Sequence, residues 1–233
     1  MHCFSKSSVA PKEDSHDNAG GRASGSGPIK PSAQYIDALS KRRSIYSLDS
    51  TLPQSDKEVI KTIEDTIRQC PSSFNVKSSR AVILFGADHQ KVWTIVKAAL
   101  KKVTTEEQYT ESEMKVNNCF AAGAGTILFY EDSAAIKIQQ QTYPRYAASM
   151  LTFSQHASAM AQFAVWFALA QDGIGASLQH YNELIEAELR TAFDIPEDWQ
   201  LIAQMPFGSI KKPADVKPSN PDENCVVVRG ASV

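Results

Sequence analysis

Apolar residues recur three and four positions apart in some stretches of the chain and run consecutively in others, so the pattern predicts a mixed α and β domain. From Ser32, a good N-cap residue, Ile36 and Leu39 fall on one helical face, and Lys41-Arg42-Arg43 close that helix with positive charge. Ser55 and Glu58 form a capping box ahead of a second helix, with Val59, Ile60, Ile63 and Ile67 as its stripe and Pro71 beyond its end. Residues 80 to 86 read as a buried strand. Asp88 caps a third helix that turns Val92, Val96, Ala99 and Val103 inward. Residues 125 to 130 read as a second buried strand.

The longest helical segment is predicted over 144 to 172. Its centre is rich in Ala, Phe, Met and Trp, and a helix apolar on most of its circumference is buried on most sides. It therefore reads as a central helix or a subunit interface, with His156 as a core histidine. Gly173 stops it, and 174 to 180 read as a third strand. Asn182 caps a helix carrying Leu184, Ile185 and Leu189, 199 to 205 form a fourth strand, and 225 to 228 a short C-terminal one. Helices and strands alternate without a clean βαβ repeat.

Residues 1 to 32 break the pattern. They hold seven Ser, four Gly and three Pro and too few large apolar groups to offset the entropy of ordering. They predict a disordered tail, with one folded domain over 33 to 233.

Composition narrows the function classes. Of 233 residues, 42% are hydrophobic and 21% charged, enough for a sizeable core. Lys and Arg total 24 against 26 Asp and Glu, which argues against a nucleic-acid binder. The longest apolar run, Phe163 to Ala170, is eight residues, too short to span a membrane. The four cysteines form no C-x-x-C pair and suit neither a zinc site nor a disulfide framework, so the expected compartment is the cytoplasm, with the nucleus open. Gly123-Ala124-Gly125 lacks the third glycine of a dinucleotide fingerprint and precedes a strand. There is no P-loop and no G-x-S-x-G elbow, and neither a metal site nor a side-chain nucleophile is expected.

Four constellations carry possible chemistry. Lys41-Arg42-Arg43-Ser44 offers paired guanidinium donors and a hydroxyl to a phosphate, although basic residues also complement a helix C-terminus. Pro71-Ser72-Ser73-Phe74-Asn75 offers hydroxyls and an amide to a polar ring edge, or a turn that bonds its own backbone. Gly173 to Asn182 can present backbone amides, Gln179 and His180 to a ligand, or be an ordinary strand and cap. Pro206-Phe207-Gly208, followed by Lys211, Lys212 and Lys217, reads as a late loop, either completing an anion site or simply solvated.

In this order, with Gly125-Thr126-Ile127-Leu128-Phe129 and the Ala-rich helix between them, these segments resemble the FMN-dependent nitroreductase family, in particular its small fungal and bacterial members. The likeness runs from about Ser32 to about Val228. It implies a three-layer α+β fold with a central, mostly antiparallel sheet. It also implies an intertwined homodimer with two FMN sites at the interface, the long helix at its core and the C-terminal strand reaching across. By position, Arg42 and Ser44 would hold the FMN phosphate with Arg43 beside them, and Lys217 would be the late basic residue on it. Ser72, Ser73 and Asn75 would reach the isoalloxazine of the other subunit. Backbone groups around Gln179 and His180 would face the ring near N5. Lys77 stands where the family usually has Gln.

The implied activity is ping-pong transfer of reducing equivalents from NAD(P)H through FMN to small nitroaromatic or quinone acceptors. The flavin carries the chemistry, and no catalytic side chain is assigned. The competing expectation is an FMN-binding redox sensor in lipid or oxidative-stress signalling that turns over little. A colourless dimeric scaffold is the third.

Overall fold

The computed structural model describes residues 30–216 and 226–232. Five antiparallel strands form the centre: β1 (Ser47–Asp49), β2 (Ser79–Phe85), β3 (Gly125–Asp132), β4 (Ile174–Ala176) and β5 (Trp199–Lys212). The path is β1-β5-β3-β2, with β4 also on β5. On one face, α3 (Gly86–Val103) and α7 (Asn182–Phe193) cover Leu84, Leu128, Tyr130 and Leu201. On the other, α2 (Asp56–Gln69) and α6 (Met150–Gln171) cover Ile127, Phe129, Ala203, Met205 and Phe207. This is the three-layer α+β arrangement that the resemblance implied.

A bulge sets which residues of β5 face which layer. Phe129 pairs with Ala203 but Tyr130 with Leu201, so Ile202 is an extra residue on β5. An extra residue reverses the in-out alternation. Leu201 therefore joins the α3–α7 core while Ala203 joins the α2–α6 core.

Local chemistry explains where the elements begin and where the sequence reading is corrected. α1 (Pro31–Lys41) starts at Pro31, whose missing N–H is no loss at the first helical position, so Ser32 is inside the helix and not its cap. The capping box of Ser55 and Glu58 opens α2 as expected. Gly86, at φ 54, turns β2 straight into α3, which leaves Asp88 in the first turn and not at the cap. Val103 is 61% exposed because the last turn of α3 runs past the core, where Leu100 takes the inner position.

Two helices lie where the apolar pattern is weak. α4 (Glu106–Lys115) buries no residue and rests on a Thr105–Gln108 capping box, and α5 (Ser133–Thr142) is capped by Asp132. A π-helical turn, Val116–Phe120, puts Val116 and Phe120 into the core.

The long helix is shorter than predicted: Pro144–Ser149 form a 3₁₀ segment before α6. α6 buries Ala157, Ala161, Val165 and Leu169 but exposes Leu151, Met160, Phe163 and also His156, which is not a core histidine. β4 stops at Ala176, and the chain makes its next backbone bridge to the sheet at Gln179. Residues 206 to 212 are strand and not loop. Residues 226–228, read as a C-terminal strand, are exposed and form no strand; Cys225 lies outside the described residues.

Candidate functional site

The segment after α1 is pinned to β4. The Ile45 N–H donates to the Ala176 carbonyl at 2.9 Å, and Ser44 bridges Ala176. Gly175 allows this approach, because a Cβ there would meet Ile45, Leu48 and Ile210 at 2.9–3.0 Å. Arg42 has extended backbone, and extended backbone sends successive side chains to opposite sides. Arg43 donates from Nη1 to the Asp215 carbonyl at 3.0 Å. With Ser44, Tyr46, Ser47 and Lys212 it lines a cavity of about 400 Å³.

Arg42 goes the other way. Its guanidinium carbon lies 4.1 Å above the Trp166 ring, and its Nη1 is buried without a partner. Burial, and then the like charge of Arg43, depress its pKa. A half-buried cation with one buried, unused N–H is what an incoming anion would relieve.

The segment from Ser177 to Asn182 is held by one buried residue, Gln204. Its backbone pairs with Gln179 in both directions, at 2.7 and 2.9 Å. Its side chain accepts from the Tyr181 N–H at 2.8 Å and donates to Asn182 Oδ1 at 2.7 Å. Asn182 Nδ2 donates to the carbonyl of the bulge residue Ile202 at 2.7 Å, so Asn182 is a strut and not a helix cap. Gln179 is buried, donates its side chain to Ser177 Oγ and spends its own N–H and C=O on Gln204. The Gln179 N–H is therefore spent inside the fold, while its carbonyl keeps a second lone pair. His180 beside it is exposed.

Ser72, Ser73 and Asn75 lie elsewhere. Phe74, Asn75 and Lys77 all adopt left-handed backbone, at φ 54, 53 and 47, costing on the order of 1 kcal/mol each. Such strain collects where a loop must present groups in a set direction. Ser72 Oγ accepts from the Lys77 N–H at 2.8 Å, and the Lys77 ammonium donates to the Arg68 carbonyl at the end of α2. Phe74 stacks on Tyr143 with centroids 4.4 Å apart. Ser73 shares a hollow with Met150, Phe153 and Ser154 at the start of α6, whereas Arg42 packs on Trp166 near its end. At about 1.5 Å per residue the two groups are on the order of 20 Å apart along the helix. One chain does not bring them together.

Two buried polar clusters elsewhere are internally partnered, around Thr126 and around Glu131. Trp93 Nε1–H donates to Thr126 Oγ1 at 2.9 Å, and Thr126 Oγ1 lies 2.8 Å from His89 Nδ1. His89 Nε2 lies 3.2 Å from the Ala121 carbonyl, so Nε2 carries the proton and Nδ1 accepts from Thr126. Burial lowers the His89 pKa and keeps it neutral. Glu131 accepts from Ser78 and Ser79, and burial raises its pKa despite those bonds. Among the described residues no cluster of metal-ligating side chains occurs, and no helix is long and apolar enough to cross a membrane.

The sequence reading placed Arg42, Arg43 and Ser44 in one segment; Arg43 and Ser44 share the cavity, whereas Arg42 turns away from it onto Trp166. Lys217 lies outside the described residues; Lys212 is the late lysine on the cavity. Gln204, Trp166 and Glu131 were missed. The only signal for Gln204 and Glu131 was a polar residue interrupting an apolar strand.

Comparison with known proteins follows the same lines. A model of the Nitroreductase family matches residues 39–209. The nitroreductase FRM2 of Saccharomyces cerevisiae is 30% identical over 182 residues, covering 77% of this chain and 90% of that protein. The structure of the nitroreductase CinD from Lactococcus lactis in complex with chloramphenicol superposes with a TM-score of 0.76 at 36% identity, over 84% of this chain and all of that one. A nitroreductase structure from S. cerevisiae gives 0.67 at 31% identity, over 77% of this chain and 97% of that one. A Desulfitobacterium hafniense nitroreductase with bound FMN shares the fold, with a TM-score of 0.62 at 16% identity over 84% of this chain and 97% of that one.

Proposed function

The chain belongs to the nitroreductase family and is a nitroreductase-type oxidoreductase, and on that premise we propose that it is an FMN-dependent NAD(P)H oxidoreductase working as a homodimer. The observation that carries the proposal is Arg42: a half-buried guanidinium whose Nη1 is buried without a partner, two residues from Ser44, which lines a cavity with Arg43 and Lys212. That donor set suits a phosphate dianion. The bound FMN of the D. hafniense protein supports the choice of flavin.

When bound, FMN supplies two-electron transfer from NAD(P)H to a nitroaromatic or quinone acceptor, in ping-pong order. The protein's part is to bind, orient and exclude water. Arg42, Arg43 and Ser44 take the phosphate, with Lys212 on the cavity beside it and Lys217 assigned to it by the resemblance alone. Gln204 holds the 177–182 segment as a wall for the ring, with His180 at its exposed edge. Ser72, Ser73 and Asn75, some 20 Å away along α6 within one chain, serve the site of the partner subunit. The exposed apolar side of α6, at Leu151, Met160 and Phe163, supports that pairing.

The test is the visible spectrum of the purified protein before and after NADPH or NADH without oxygen. Flavin bands that bleach are expected. Bands that persist with either nucleotide would favour the sensor, and no bands after FMN is supplied would overturn the phosphate assignment.

A further inference from the structure

Trp166 combines two features that the sequence reading did not use. Its ring carries the Arg42 guanidinium at 4.1 Å, and its own Nε1–H is buried without an acceptor. Arg42 Nη1 is in the same condition. Buried N–H groups without partners are rare and each demands a reason. Here two of them belong to one stacked pair, and among the described residues Arg42 has no ion pair. A neutral acceptor would satisfy one N–H and leave the cation uncompensated. An anion with several oxygens would satisfy both and neutralise the guanidinium.

We infer that Trp166 is part of the anion end of the site: its ring holds Arg42 in position, and its indole N–H donates to the same phosphate. This rests on the flavin reading above and adds a residue and a specificity to it. FMN would be told from riboflavin, which lacks the phosphate, by Trp166 as well as by the arginines. The stack explains why Arg42 is set apart from Arg43: the two guanidiniums approach from different sides, and the aromatic face offsets the burial of one of them.

The experiment measures the affinity of the full-length apoprotein for FMN and for riboflavin, in wild type, Trp166→Phe and Trp166→Leu. Phe keeps an aromatic face and removes the N–H. The expected loss is about tenfold for FMN, with riboflavin unchanged. Leu removes both, and the FMN loss should be about 100-fold, again with riboflavin nearly unchanged. A misfolded variant would lose both flavins together, so the FMN-to-riboflavin ratio isolates the effect. Equal losses for the two flavins in Trp166→Phe, or an unchanged ratio, would overturn the inference and leave Trp166 as packing. A change confined to dimer dissociation would assign the indole N–H to the partner subunit and overturn it as well. If wild type binds neither flavin, the flavin reading fails first and this inference with it.

Discussion

The two faces of the sheet are closed differently. On the α3–α7 face the chain seals its own core: Trp93, Phe120, Tyr130, Ile185 and Leu189 are buried, and His89 is partnered on both ring nitrogens. On the α2–α6 face, α6 packs Val165 and Leu169 on the sheet and turns Leu151, Met160 and Phe163 to solvent. Arg42 and Trp166, both against that helix, keep buried donors without acceptors. The first face closes its apolar core within one chain, with the Tyr130 hydroxyl and Arg190 Nε left buried and unpartnered inside it. The second is built to be completed, in the proposed account by a second copy and an anion. In the proposed account a stretch apolar on all sides marks an interface, while an amphipathic one marks ordinary core.

The sharpest way to break the comparison is to charge one exposed apolar residue on each face. Phe163→Glu on α6 should weaken self-association by about 100-fold or more, read by sedimentation across a concentration series. Val103→Glu on α3, itself exposed, should leave association unchanged. Next in size is Gln204→Leu, which strips partners from the Tyr181 N–H and Asn182 Oδ1. It should cost about 3 kcal/mol in urea unfolding and loosen the 177–182 segment.

Smaller still is a pH effect. The native pKa of Glu131 is raised above its ordinary value of 4.5, so the folded state holds that proton more tightly than the unfolded one. Its contribution is fully present below about pH 4.5 and is lost as pH rises through the native value. Stability of the wild type should therefore fall relative to Glu131→Gln from acid towards neutral pH, in parallel denaturant titrations. Least of all is Tyr130→Phe. The Tyr130 hydroxyl is buried without a partner and its pKa is driven up by burial, so its removal should change stability by less than about 0.5 kcal/mol or raise it.

What the sequence made legible was whatever local rules decide. The capping box at Ser55 and Glu58, the apolar runs of β2 and β3, and the Arg42-Arg43-Ser44 segment all lie close to where the pattern put them. What stayed hidden depends on partners distant in the chain. The bulge at Ile202 shows only against β3, and Gln204 matters only because Tyr181 and Asn182 come to it. Pro206-Phe207-Gly208 looked like a loop on its turn residues. It is strand because a Cβ on Gly208 would collide with the Asp49 carbonyl of β1. The C-terminal segment 226–228 carries strand residues but is not paired with the sheet.

The central claim is that one flavin site takes its phosphate donors from one chain and its ring contacts from another. Mixed dimers test it directly. Arg42→Ala and Ser73→Ala/Asn75→Gly proteins should each bind FMN poorly alone. After unfolding and refolding together, random pairing should restore about one site in four, because each mixed dimer holds one site with both halves intact. Recovery of that fraction in an FMN titration is the predicted result. No recovery, with mixed dimers shown to form, would contradict the account and place the whole site within a single chain.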